Sequence, residues 1–145
     1  MHPFPHTYQA SAEGETTGSV MVSSPRLTTI ASDTPKEFGG SGDQWSPETM
    51  LVAAVADCFI LTFRAVARGS RFDWNDVTCE VTGILDRVER ITQFVEFYMD
   101  ISLRVPAGTD AHRAHRLAEK SETVCLVTNS LTGKKILNVA VIHDP

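Results

Sequence analysis

Cys58 and Cys125 are the residues whose type and setting are best suited to chemistry. Cys58 lies in the middle of an apolar predicted helix, Ser46–Gly69, directly after Asp57, and Cys125 lies at the end of a second predicted helix. Only the thiolate form of a cysteine acts as a nucleophile, and an unperturbed cysteine, with a pKa of about 8.5, is mostly protonated at neutral pH. Burial suppresses the thiolate further unless a cation or donor compensates. Each thiol is therefore either a reactive group or simply part of the core.

Other candidate sites are weaker. Cys79 occupies an alternating strand position, where a thiol serves as a small apolar side chain. His112, His115 and Glu119 share one face of a predicted helix and could ligate zinc or iron, although a solvated face is the favoured interpretation. No HExxH, CxxC, GxGxxG, GxSxG or Walker pattern occurs. We therefore expect neither a bound metal nor a cofactor.

The segment that carries Cys58 has clear helix boundaries. Ser46 suits the N-cap, Pro47 the first helical position and Glu48 the positive end of the helix dipole, while Gly69 is a plausible left-handed terminator. Between these ends almost every residue is apolar or small. Since a surface helix would show a polar face, this pattern predicts a buried central helix.

The remaining elements alternate between strands and one more helix. Phe4–Ala12 and Gly18–Ile30 read as strands, with the second bent or interrupted at Ser24–Pro25, and Ser32–Trp45 reads as a glycine-rich connector. The later elements are strands over Val77–Asp86 and Ile91–Val105, joined without a Gly or Pro turn signal, a helix over Asp110–Val124, a short helical piece over Leu126–Leu131 and a last strand over Lys135–His143. This order predicts an α+β fold, with helices packed on a mostly antiparallel sheet.

Composition favours one cytoplasmic domain over residues 1–145. The length of 145 residues suits a single hydrophobic core, and the 42% hydrophobic content excludes wholesale disorder. The net charge of −5 argues against nucleic-acid binding. Three widely spaced cysteines suit reduced thiols in the cytoplasm. The N-terminus lacks a signal-peptide pattern, and Asp57 interrupts the best apolar run, so we expect no membrane association.

Three segments together resemble the OsmC/Ohr family of small thiol peroxidases. They are the glycine-rich loop, the sequence SPETMLVAAVADCF and the sequence AEKSETVCLVTNSL. The resemblance spans most of the chain and includes a Pro-Glu pair ten residues before the first cysteine, at Pro47–Glu48 and Cys58. It implies the OsmC-like fold, with mostly antiparallel sheets packed on two central helices in an interlocked homodimer. Active sites in such a dimer lie at the subunit interface.

The resemblance also implies residue roles. Cys58 would be the peroxidatic thiol, Cys125 the resolving thiol and Glu48 part of the polar network at the thiolate. The family commonly adds an arginine; here the available cations are Lys36 and Arg26. The implied substrate is an organic hydroperoxide, and the implied reductant is a thiol such as a dihydrolipoyl protein.

Apolar side chains near the first thiol would favour organic over hydrogen peroxide, and Phe59, Phe63 and Met50 are the candidates. The alternative is an OsmC-like protein that is non-catalytic or of altered activity and that binds a hydrophobic ligand.

Overall fold

The computed structural model describes residues 1–145, which divide into two compact units, Met1–Leu51 and Val52–Pro145. Each unit contains one three-stranded sheet, and the chain has two α-helices. The predicted α+β class is confirmed. Three of the four strand pairings are antiparallel, as expected for a mostly antiparallel fold.

The N-terminal unit holds a small antiparallel sheet. Its strands are β1 (Ser11–Glu13), β2 (Val20–Ser23) and β3 (Ile30–Ser32), in the order β1-β2-β3. The predicted strands are too long, because residues 4–10 stay outside the sheet and the second run splits in two. The split follows the expected interruption at Ser24–Pro25, where the amide of Leu27 donates to the Ser24 carbonyl across a turn.

The glycine-rich connector has a defined, hydrogen-bonded conformation. A short 3-10 helix spans Lys36–Phe38, and the amide of Gly40 donates to the carbonyl of Pro35 at 3.1 Å. A Cβ atom at Gly40 would lie 1.6 Å from the carbonyl oxygen of Thr34, which no side chain can tolerate. Glycine is therefore required here for close backbone approach, beyond any need for flexibility.

Helix α1 spans Pro47–Gly69, and Ser46 caps it as predicted. The Ser46 hydroxyl accepts from the Thr49 amide at 3.1 Å, and the Thr49 hydroxyl accepts from the Ser46 amide at 2.8 Å. The predicted left-handed terminator at Gly69 is wrong, because the positive φ occurs at Arg71 instead. The cap pair satisfies backbone donors that the first helical turn cannot pair internally.

Within a single chain, the predicted central helix α1 is buried on one side only. In this chain only one stripe is buried, at four-residue spacing: Val55, Phe59, Phe63 and Ala67. Other apolar positions face outward, including Leu61, which is 53% exposed. With its 23 residues, α1 is long and apolar enough to cross a membrane by length and composition, despite Asp57. The buried stripe is nevertheless that of a core helix packed on a sheet.

The C-terminal unit is built on β4 (Asp76–Val88), β5 (Ile91–Val105) and β6 (Lys134–His143), in that order. Strands β4 and β5 are antiparallel and joined by Glu89 and Arg90, both at positive φ. A two-residue turn with positive φ at both positions has a backbone twist that matches the twist of the two strands, and here it forms without glycine. Strand β6 pairs parallel to β5 because helix α2 (Ala111–Thr123) provides the crossover.

The core of this unit lies between the sheet and both helices. Alternate residues of β5 are buried with the α1 stripe and one face of α2: Phe97, Met99, Ile101, Leu103, Val105, Ala114, Leu117 and Ala118. Helix α1 packs closely against β4 at Gly83, because a Cβ atom there would lie 2.8 Å from a methyl group of Val52 on α1. This packing fixes α1, and with it the position of Cys58.

Candidate active site: a pair of thiols

The sulfur atoms of Cys58 and Cys125 lie 2.9 Å apart, although the residues are 67 positions apart in the chain. Both are free thiols. The distance is longer than the roughly 2.05 Å of a disulfide bond and shorter than an ordinary contact between two non-bonded sulfur atoms, and the Cys125 thiol is directed at the Cys58 sulfur. The fold therefore brings the two cysteines into direct contact.

Each cysteine is positioned by a different part of the C-terminal unit. Cys58 precedes Phe59 and thus lies beside the buried stripe of α1. Cys125 follows α2, where its amide donates to the Glu122 carbonyl and its carbonyl accepts from the amide of Asn129. The buried hydroxyl of Thr128 donates to the same carbonyl at 3.2 Å. These bonds hold the turn that presents the second thiol.

The two thiols differ in exposure. Cys125 is completely buried, whereas Cys58 is partly exposed. A solute approaching this chain therefore meets Cys58 first. The asymmetry favours Cys58 for attack and Cys125 for a second step within the protein.

The protonation of the pair is coupled, because either thiolate can accept the hydrogen of the other thiol. Burial, followed by the hydrogen bond with Cys125, raises the pKa of Cys58. Burial also acts to raise the pKa of Cys125, but hydrogen bonds from Cys58, Thr128 and Val127 outweigh it and lower that pKa. Cys125 is thus the more acidic thiol of the pair. For Cys58 to ionise and attack, its sulfur needs a further hydrogen-bond donor or a nearby cation.

Glu48 is the one residue with a buried side-chain oxygen that lacks a partner: its Oε2 atom has no hydrogen bond. Neither Lys36 nor Arg26 forms an ion pair with it; the ion pairs of the chain join Arg104 to acidic groups. The structure therefore does not bring together the predicted carboxylate and either predicted cation. A buried carboxylate oxygen ordinarily accepts a hydrogen bond, which makes Glu48 the natural attachment point for a donor group.

The third cysteine and the histidines occupy other settings. Cys79 lies half-buried on β4, and burial raises its pKa to about 12, so it is a poor nucleophile. His112, His115 and Glu119 lie on α2, but no three His, Cys, Asp or Glu side chains of the chain converge as a metal site would require. The alternative of a metal centre on this helix gains no geometric support.

The residues expected to contact substrate need correction. Phe59 and Phe63 are fully buried in the core, so they are not available to a substrate. Two exposed leucines lie close to the cysteines in sequence instead. Leu126 directly follows Cys125 and is 70% exposed, and Leu61 lies one helical turn after Cys58 and is 53% exposed. An open groove of about 490 Å³ lies in the N-terminal unit, and it is lined by Ala31, Gly42, Asp43, Gln44, Trp45 and Thr49, with no cysteine among them.

Sequence reasoning missed one residue of the site. The hydroxyl of Thr62 lies 3.7 Å from the Cys58 sulfur, one helical turn further along α1. The i, i+4 spacing of Cys58 and Thr62 was visible in the sequence and places both on the same helix face. A threonine at that spacing was the available signal.

The chain is similar to known proteins over most of its length. The family model "OsmC-like protein" matches residues 40–139. The chain is 28% identical over 129 residues to the organic hydroperoxide resistance protein of Xanthomonas axonopodis pv. citri, covering 88% of each protein.

Two solved structures share the fold. An OsmC-like protein of unknown function from Vibrio cholerae superposes with a TM-score of 0.84 at 14% identity, covering 94% of this chain and 100% of that one. An organic hydroperoxide resistance protein from Elizabethkingia anophelis gives a TM-score of 0.79 at 20% identity, covering 99% and 100%. Since the family model spans well over half of its length, this chain belongs to the family of OsmC-like proteins.

Proposed function

We propose that this protein is a thiol-dependent peroxidase that reduces organic hydroperoxides to alcohols. The observation that carries the proposal is the 2.9 Å contact between a partly exposed and a fully buried thiol. A similar protein named for organic hydroperoxide resistance supports the choice of substrate. Exposed leucines near both cysteines, Leu61 and Leu126, are compatible with an apolar peroxide.

The reaction would proceed in two steps within the protein. The Cys58 thiolate attacks one peroxide oxygen, the O–O bond breaks, and the alkoxide leaves and takes up a proton to become the alcohol. Cys58 is then a sulfenic acid. The Cys125 thiolate attacks the Cys58 sulfur, and hydroxide leaves and is protonated to water. The resulting disulfide needs only about 1 Å of further approach between sulfurs.

A dithiol must then regenerate the enzyme. We propose a dihydrolipoyl protein, whose two thiols would reduce the disulfide and become a disulfide themselves. Because Cys125 is fully buried and Cys58 is partly exposed, the incoming thiolate would attack the sulfur of Cys58 first. Three reduced thiols suit a cytoplasmic setting, which we propose for this protein.

Glu48 would act on the thiolate through a second copy of the chain. Glu48 and Cys58 both belong to α1, and ten residues of continuous helix correspond to a rise of about 15 Å. A carboxylate that far along the same helix does not reach the sulfur. Glu48 of the partner subunit can do so if two α1 helices pack together, and it would orient a cation beside Cys58.

The exposed apolar surface supports such a homodimer. Large apolar side chains are exposed on α1, on the small sheet and around the β4–β5 turn: Leu61, Val20, Met21, Ile84, Leu85, Val88 and Ile91. Exposed apolar side chains in such numbers are typical of surfaces that bind another chain. We propose an obligate homodimer with exchanged N-terminal strands. Sizing with light scattering at micromolar concentration would refute it by finding a stable monomer.

The decisive test is peroxide consumption with cumene or tert-butyl hydroperoxide and dihydrolipoamide, compared with hydrogen peroxide. Cys58→Ser should abolish turnover. Cys125→Ser should permit one turnover and then accumulate sulfinic and sulfonic acid at Cys58. Cys79→Ser is the matched control and should retain activity. No turnover by the folded wild type would favour a ligand-binding OsmC-like protein instead.

The activating cation can be tested separately. We propose Lys36, or failing that Arg26, as the group that Glu48 orients in the assembled enzyme. Lysine lacks the planar fork of arginine, so it would orient less firmly. If Lys36→Ala and Arg26→Ala both leave the peroxide rate unchanged, neither residue supplies the cation.

A further inference from the structure

We propose that Thr62 is a catalytic residue that donates a hydrogen bond to the Cys58 thiolate. Its Oγ1 atom lies 3.7 Å from the Cys58 sulfur, within the longer range of hydrogen bonds to sulfur. The two residues are four positions apart on α1 and therefore lie on the same face in successive turns. The inference rests on the proposed role of Cys58 as the reacting thiol.

The hydroxyl of Thr62 donates to no backbone carbonyl, unlike the serine and threonine hydroxyls on α2. A threonine or serine inside a helix commonly donates to the carbonyl four residues earlier. On α2, Ser121 donates to the Leu117 carbonyl at 2.7 Å, and Thr123 donates to the Glu119 carbonyl at 3.0 Å. Thr62 makes no such bond, and the Cys58 sulfur is its only hydrogen-bond partner.

The chemistry of the pair explains what the bond would do. A thiol accepts hydrogen bonds weakly, whereas a thiolate carries full charge and accepts strongly. The bond therefore strengthens when Cys58 loses its proton and lowers its pKa against the effect of burial. Thr62 would therefore give the ionised Cys58 sulfur a donor that does not itself titrate, before the sulfenic acid forms.

The test is the pH dependence of Cys58 alkylation by iodoacetamide in the reduced protein, with the modified cysteine identified by peptide mapping. Thr62→Val keeps the side-chain shape and removes the donor. It should raise the apparent pKa of Cys58 by about half to one unit and slow alkylation at pH 7 roughly threefold to tenfold. The rate plateau at high pH should stay unchanged, because access to the sulfur is the same.

Thr62→Ser restores the hydroxyl and should return the pKa to the wild-type value. Thr92→Val, at an exposed position near the β4–β5 turn, makes the same chemical change away from the buried core and should shift nothing. An unshifted pKa in Thr62→Val, or a lowered plateau with no pKa change, would overturn the proposal. Alkylation requires no peroxide, so this result is separable from a failure of peroxidase activity.

Discussion

Oxidation of the cysteine pair should stabilise the protein strongly. Treatment with one equivalent of cumene hydroperoxide is expected to form the Cys58–Cys125 disulfide, which closes a loop of 67 residues. On the chain-entropy relation, a loop of that length removes about 4 kcal/mol of unfolded-state entropy. For a domain of 145 residues that corresponds to a rise in Tm of about 13 °C. The sulfurs already touch, so native strain should subtract little.

The assay is thermal unfolding followed by circular dichroism, on oxidised and dithiothreitol-reduced samples of each variant. Wild type and Cys79→Ser should show the full shift, whereas Cys125→Ser should show none. Non-reducing peptide maps identify the bonded residues in the same samples. A disulfide that contains Cys79, or a Cys58–Cys125 bond without any rise in Tm, would refute the reasoning from sulfur proximity and loop length.

Three further predictions concern packing, the carboxylate and acid stability. Gly83→Ala places a methyl group against a close neighbour and should destabilise by about 1–3 kcal/mol in denaturant titration, whereas Gly69→Ala, with open space around it, should not destabilise. Glu48→Gln should lower the peroxide rate about tenfold at unchanged Tm, and an unaltered rate would exclude it from the site. The Arg104 guanidinium, and then the Asn75 amide, lowers the pKa of Asp144. The stability that the ionised Asp144 contributes is therefore present above about pH 4 and is lost as pH falls through its lowered folded-state pKa. Asp144→Asn should make the free energy of unfolding, measured by urea titration at pH 2–6, less dependent on pH.

Local sequence signals determined much of the secondary structure. Ser46 and Pro47 determine the start of α1, and Asp110 caps α2, where its carboxylate accepts from the His112 amide. Such caps depend on hydrogen bonds within one turn, so the chain encodes them locally. The β4–β5 turn was less evident, since Glu89 and Arg90 adopt positive φ without glycine. There the pairing of two long strands outweighs the local preference.

The functional residues divide in the same way. From the sequence alone, Cys58, Cys125 and Glu48 could be proposed as site residues by their resemblance to a known pattern, because residue type and spacing are read directly from the chain. Only the tertiary structure decided that the two sulfurs touch and that Phe59 belongs to the core. Contact across 67 residues depends on how α1, the sheet and α2 pack, and burial depends on which helix face meets the sheet. Apolar periodicity alone does not specify either, because an apolar face looks the same whether it meets its own sheet or another chain.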